Sequence, residues 1–246
     1  LHTRARADIV SDKHQENKVD DIRSIFYSRE TLYKDIYVVA DSGKGKSSLC
    51  EYLVYLWVKF HSQGRQNIDE DNFMKNFDFL FYISLRDATS GDVEDMIRDQ
   101  LDIQQVDISK LLSENKCLII MDGLDLYSQT SKRSRFGSPN IPARRHGINL
   151  TYITTSRPWK VELLRREIEH KMDRQISIIG LERDQQEKLA KNVLDLLNTE
   201  KGRNKSVNYF LEDVERQTLN EHMETPILLM QMLGLWFSGE SFGKSQ

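Results

Sequence analysis

Cysteine is scarce in this chain: two residues, Cys50 and Cys117, among 246. Two cysteines cannot build a disulfide framework, and no Cys/His pair has zinc-ligand spacing. An excess of basic charge is also missing. Lys and Arg total 35 against 38 Asp and Glu, for a net charge of -3. A chain built to coat nucleic acid would be basic, so nucleic acid is not an expected partner. Long apolar runs are absent: the longest, Pro226 to Phe237, is far short of a bilayer span and contains Gln231 and Gly234. No secretory signal, internal repeat or low-complexity tract is visible. What remains is an ordinary globular balance, 39% hydrophobic and 30% charged, which argues against disorder. The expectation is a cytoplasmic chain without a membrane partner, of one large domain or one domain plus a small attachment. Because it begins at Leu1, it is expected to be a fragment of a longer protein.

Residues 1–18 are polar and poorly periodic, and read as a linker or disordered segment. Short β-branched, apolar runs then recur at 35–40, 79–85, 117–122, 150–155 and 175–179, each the size of a buried strand. Helix-sized stretches separate them. Leu49, Leu53, Leu56 and Phe60 lie on one helical stripe. This alternation predicts an α/β core over 19–180, with a parallel five-stranded sheet and helices on both faces. After Gly180 the pattern becomes purely helical, predicting a small all-helical domain over 181–246. Thr225-Pro226 is a helix start with Pro at the first helical position. The helix that follows is apolar nearly all round, so it is expected to be buried.

Residues 40–47 read Ala-Asp-Ser-Gly-Lys-Gly-Lys-Ser, directly after the first predicted strand and opening a helix. They match the phosphate-binding pattern G-x-x-x-x-G-K-[ST] except that Ala40 replaces the first Gly. Such a loop turns main-chain N–H groups onto phosphate oxygens, and the helix N-terminus adds positive potential. The candidate binding set is Ser42, Gly43, Lys44, Gly45, Lys46, Ser47 and Ser48. Gly43 and Gly45 permit the tight turns, Lys46 reaches the β- and γ-phosphates, and Ser47 ligates Mg²⁺. Asp122 ends the 117–122 strand, on the sheet edge that bears this loop, where a carboxylate can hold Mg²⁺. Asp125 is a candidate to orient an attacking water. Arg157, after the 150–155 strand in Thr-Ser-Arg-Pro, is a candidate to touch the γ-phosphate. From Leu126 to Val161 there is no acidic residue; the basic loop 132–145 reads first as solvated, with an approach to the phosphates, to a neighbouring subunit or to nucleic acid as the alternatives.

Together ADSGKGKSSLC, LIIMDGLDL, ITTSRP and METPILLMQM resemble the NACHT domain of STAND-class P-loop NTPases, found in NOD-like innate immune receptors. The resemblance covers about Val19 to Phe237. It implies a P-loop core and a helical domain binding ATP or ADP with Mg²⁺. It also implies a nucleotide-dependent switch in signal transduction, and self-association in the full-length parent. By the same resemblance Lys46 and Ser47 are the Walker A lysine and magnesium hydroxyl, and Asp122 the Walker B aspartate. Arg157 is the sensor arginine, and Pro226 the helical-domain proline near the adenine.

Two departures from the family matter, the first for turnover and the second for how securely the fragment holds nucleotide and completes the switch. Leu126 stands where the family usually has an acidic residue, and leucine cannot polarise water. The winged-helix domain and flanking modules of relatives lie outside this sequence. Slow hydrolysis by Asp125 and Arg157 therefore stands beside an alternative, a nucleotide-binding scaffold with no turnover. A GTPase reading is weaker, because Asn204-Lys205-Ser206-Val207 lacks the aspartate that would hold guanine.

Overall fold

The computed structural model describes residues 5–8, 16–19, 21–62, 73–88, 90–101, 107–127, 141–168 and 172–240. The described chain divides into two compact units, one of residues 5–41 and 46–178, the other of 42–45 and 179–240.

The first unit opens with strands β1 (Ala5–Asp8) and β2 (Glu16–Val19), a short helix α1 (Arg23–Phe26) and the paired strands β3 (Tyr27–Ser28) and β4 (Thr31–Leu32). There follow β5 (Asp35–Val39), α2 (Lys46–Ser62), β6 (Phe79–Ser84), α3 (Val93–Leu101), α4 (Ile108–Glu114) and β7 (Cys117–Asp122). The unit closes with β8 (Leu150–Ser156), α5 (Pro158–Ile168) and β9 (Arg174–Ile178). The main sheet has the order β2-β1-β9-β5-β8-β7-β6. Strands β5 to β9 are all parallel, as expected for the P-loop core. Strands β1 and β2 add an antiparallel edge beside β9. Both lie in or next to the segment expected as a linker. Their short, mostly polar sequences carry no periodic apolar signal.

Alternation along the parallel strands sends side chains to opposite faces. On one face Tyr37, Val39, Ile119 and Met121 pack with Val93, Ile97, Leu112 and Leu164 from α3, α4 and α5. On the other, Ile36, Val38, Leu118 and Ile120 pack with Leu49 and Leu53 of α2 and with Phe26, Met74 and Phe77. Every residue of β8 is buried, which explains why it reads as one continuous run.

The basic stretch differs from expectation where it is described; Lys132, Arg133 and Arg135 fall outside the described residues. The Arg144 side chain is 4% exposed and meets Asp35 at 2.5 Å. Its guanidinium also lies 5.0 Å from the centre of the Tyr152 ring. Arg145 pairs with Glu94 at 3.1 Å and donates to the Ser109 carbonyl. Arg144 is therefore built into the fold, because the buried carboxylate of Asp35 requires a partner, while Arg145 stays exposed and pairs at the surface.

The second unit contains α6 (Arg183–Lys201), α7 (Val207–Arg216) and α8 (Pro226–Ser238). Its core joins Ala190, Leu194, Phe210, Val214, Leu229 and Leu233. Lys205 donates to the Trp236 and Phe237 carbonyls, and Arg203 to Phe237. These cations occupy the negative end of α8. Lys205 thus has a structural task in the stretch that lacks a guanine-binding aspartate. The expectation that α8 is buried all round is corrected. Leu229, Met232, Leu233 and Phe237 face the core, while Ile227, Leu228, Met230 and Leu235 remain exposed.

Candidate nucleotide-binding site

The loop 40–47 leaves the end of β5 and enters α2 at Lys46. Ala40 is buried, joins the α2-side core and does not have a positive φ. A methyl group is therefore accommodated where the pattern has glycine. Gly43 and Gly45 do adopt positive φ, 77° and 99°. A Cβ on Gly43 would collide with Ile227 and approach the Thr225 methyl to 3.1 Å, whereas one on Gly45 would meet nothing within 4 Å. Gly45 thus bends the main chain beside open space, as a phosphate cradle requires. Lys46, Ser47 and Ser48 occupy the first turn of α2, whose N–H groups have no intrahelical acceptor. Ser42 is exposed, and Lys44 lies near Gly180, with its Nζ 2.8 Å from where a Cβ there would stand.

Lys46 Nζ donates to the Ala40 and Asp41 carbonyls at 2.7 and 3.0 Å. Burial lowers its pKa, with a further lowering from Arg157; Asp125, Asp122 and Asp41 act in the opposite sense. Those influences place Lys46, Asp122, Asp125 and Arg157 within one electrostatic neighbourhood.

At the end of β7, Asp122 is held from three sides. Ser47 Oγ donates to its Oδ2 at 2.7 Å, and Tyr82 Oη donates to the same oxygen at 3.1 Å. Thr155 Oγ1 donates to Oδ1 and accepts the Gly123 N–H at 2.8 Å. Burial, reinforced by the Asp122 charge, raises the Tyr82 pKa and keeps its phenol a donor. Neither Tyr82 nor Thr155 follows from motif reading. The available signal was a polar atom within an apolar strand: Tyr82 in the half-buried FLFYIS and Thr155 in the fully buried LTYITTS.

Asp125 lies in a 3-10 turn, Leu124–Leu126. Its side chain is 5% exposed and its Oδ2 receives Arg157 Nε at 2.9 Å. Leu126 beside it is exposed and brings no polar atom. Pro226 stands at the first position of α8, in the unit that also holds residues 42–45.

The donor set fits a hard, oxygen-seeking cation bound with a phosphorylated ligand. Among the described residues no cluster of three or more His, Cys, Asp or Glu could hold a metal alone. Ser47 and Asp122 offer a hydroxyl and a carboxylate on one locus, which suits Mg²⁺ completed by phosphate oxygens and water.

The family model for the NACHT domain matches residues 35–196, from the first residue of β5 into α6. The chain belongs to the NACHT family. NACHT domains are STAND-class P-loop NTPase domains, so a nucleotide-binding P-loop core is the family's common property. No curated protein matches the chain. Among solved structures the chain is similar to the ORC2 protein of Aeropyrum pernix in its ADP form, with 11% identity and a TM-score of 0.40. That similarity covers 82% of this chain and 63% of the other. No described helix of this NACHT chain is long and apolar enough to cross a membrane.

Proposed function

We propose that this NACHT chain binds ATP and ADP with Mg²⁺ and acts as a nucleotide-dependent conformational switch, with slow hydrolysis. The observation that carries the reading is the 2.7 Å bond from Ser47 to Asp122, which joins the start of α2 to the end of β7. Amides at the start of α2 and the Lys46 ammonium would hold the phosphates, with Ser42, Gly43, Lys44 and Gly45 contributing main-chain groups. Ser47 and Asp122 would hold Mg²⁺, which when bound screens phosphate charge. Tyr82 and Thr155 keep the Asp122 carboxylate oriented towards Ser47. Pro226 would lie near the base. Self-association and innate-immune-type signalling in the cytoplasm extend this reading by family resemblance.

Slow turnover follows from what surrounds Asp125. Its Oδ2 is committed to Arg157, and the adjacent Leu126 brings no second base. A nucleotide-binding scaffold without turnover is the second reading, favoured by the same pair. Two measurements decide. Lys46→Ala should weaken ADP and ATP binding at least tenfold, and unchanged affinity refutes the site. Steady-state phosphate release at saturating ATP should be slow but above that of Lys46→Ala. No difference, together with a gain in Leu126→Glu, selects the scaffold.

A further inference from the structure

The tip of the phosphate loop does not belong to the unit that carries its two ends. Residues 42–45 belong to the second unit, whereas 40–41 and 46–48 belong to the first. Two consecutive tip residues show what holds it there. A Cβ on Gly43 would overlap Ile227 Cγ2, stand 3.1 Å from the Thr225 methyl and lie 3.6 Å from Ile227 Cβ. The Lys44 ammonium lies beside Gly180, where a Cβ would be 2.8 Å from Lys44 Nζ and 2.6 Å from the Glu224 carbonyl oxygen.

These supports form one structure. The Leu181 N–H donates to the Glu224 carbonyl at 2.8 Å, which ties the segment after Gly180 to the start of α8. The Thr225 carbonyl accepts the Leu229 N–H at 3.0 Å, so Thr225 is fixed by the helix it opens. Its side chain makes no capping bond to that helix, and its methyl stands at Gly43 instead. Ile227 is 50% exposed and lies outside the apolar core of the second unit. Its contact with Gly43 is therefore separable from the stability of that core. Thr225 and Ile227 are both β-branched, so their methyl groups are stiffly placed.

Gly43 has a φ of 77° and, as a glycine, the most main-chain freedom to lose. A loop ordered before its ligand arrives binds more tightly than one the ligand must order. The main-chain entropy of a single residue amounts to about fivefold or more in affinity. Gly45 has no such neighbour within 4 Å, so the second half of the loop stays open to a ligand.

We propose that the start of α8 sets nucleotide affinity: Thr225 and Ile227 are positioning residues that hold the tip of the phosphate loop through Gly43. The proposal rests on the nucleotide reading above and adds to it a control of affinity by side chains outside the loop. Coupling is reciprocal, so bound nucleotide steadies the start of α8 by the same factor.

The test is equilibrium binding of ADP to the full chain, with urea unfolding to show that each variant is folded. Ile227→Leu keeps the volume but loses the Cγ2 methyl, whereas Ile227→Val keeps that methyl. Ile227→Leu should bind ADP about fivefold more weakly, and Ile227→Val should stay within about twofold of the wild type. Gly43→Ala places a methyl against Ile227 and should weaken binding. Ile227→Ala should weaken binding when Gly43 is present but strengthen it when combined with Gly43→Ala, because the overlapping atom is gone. Unfolding cannot produce that reversal of sign. A folded wild type that does not bind ADP refutes the nucleotide reading and this proposal together. Where the wild type binds, the proposal alone is overturned if Ile227→Leu binds as tightly, if Ile227→Val is as weak as Ile227→Leu, or if Ile227→Ala brings no gain to Gly43→Ala.

Discussion

Replacing Thr155 by valine isolates the bond that fixes Asp122. The side chain is fully buried, and valine has almost the same shape, so no cavity opens. Two contacts disappear: the hydroxyl donation to Asp122 Oδ1, and the acceptance of the Gly123 N–H at 2.8 Å. A hydrogen bond to a charged group contributes about 1.5–3 kcal/mol, and a buried N–H left unpaired costs about 1–3 kcal/mol. Asp122 is only half-buried, so water can repair part of its loss. The expected destabilisation is then about 2–4 kcal/mol. With a urea slope of about 2 kcal/mol/M, the midpoint should fall by about 1–2 M at unchanged slope. Thr155→Ser keeps the hydroxyl and removes one methyl, so it should cost about 1 kcal/mol. Urea unfolding of both variants, followed by circular dichroism, provides the comparison. If Thr155→Val is no less stable than Thr155→Ser, the hydroxyl bridge does not hold Asp122, and the reasoning fails.

Asp35→Asn leaves the buried Arg144 guanidinium without its counter-charge and should cost about 3–5 kcal/mol in urea unfolding. Asp35→Leu with Arg144→Met should recover most of that loss, because an apolar pair leaves no charge behind. Gly45→Ala meets no steric neighbour but forces φ of 99° on an L-residue, so stability should fall by only about 1–2 kcal/mol. Nucleotide affinity, read by equilibrium binding, should fall at least tenfold, because the strained loop relaxes away from its cradle. Burial pushes the Cys117 thiol from 9.0 up to about 12. The neutral thiol therefore favours the folded state fully below 9.0, and that contribution is lost as pH rises towards about 12. The urea midpoint should stay level up to that lower limit and then decline, less steeply in Cys117→Ala; an equal decline would refute the assignment.

The parallel core was legible because its central strands β5, β7 and β8 are buried on both faces. LTYITTS and CLIIMD read as continuous apolar or β-branched runs, and a run of that kind has few other homes. The edge formed by β1 and β2 was not legible, because ARAD and ENKV are four-residue, mostly polar sequences without a periodic apolar pattern, and their pairing is with strands distant in sequence or across a turn. Helix α8 misled for a related reason. Hydrophobicity all round signals burial, but composition alone cannot show that Ile227, Leu228, Met230 and Leu235 stay exposed. Arg144 misled in the opposite direction. Its charge suggested solvent, while Asp35, more than a hundred residues earlier, supplies the partner that allows burial.

In the candidate site, local spacing revealed the residues whose task is local. Lys46 and Ser47 follow from a loop that must turn and then start a helix within a few residues, a constraint written in consecutive positions. Tyr82 and Thr155 act on Asp122 from two other strands, so their contribution depends on sheet order rather than on spacing. Asp125 shows a third case. An aspartate three residues after Asp122 reads as available for water, yet its carboxylate is nearly closed to solvent and carries a guanidinium. A base already satisfied by Arg157 can act only when that bond is broken, so the pair makes the chemistry conditional rather than constant. Arg157→Gln would release Asp125 and remove the repulsion on Lys46 while leaving the bonds of Lys46, Ser47 and Asp122 in place. If the pair is what restrains turnover, phosphate release rises in this variant while ADP affinity holds. If instead Arg157 is needed for hydrolysis itself, release falls, and the restraint assigned to the pair is refuted.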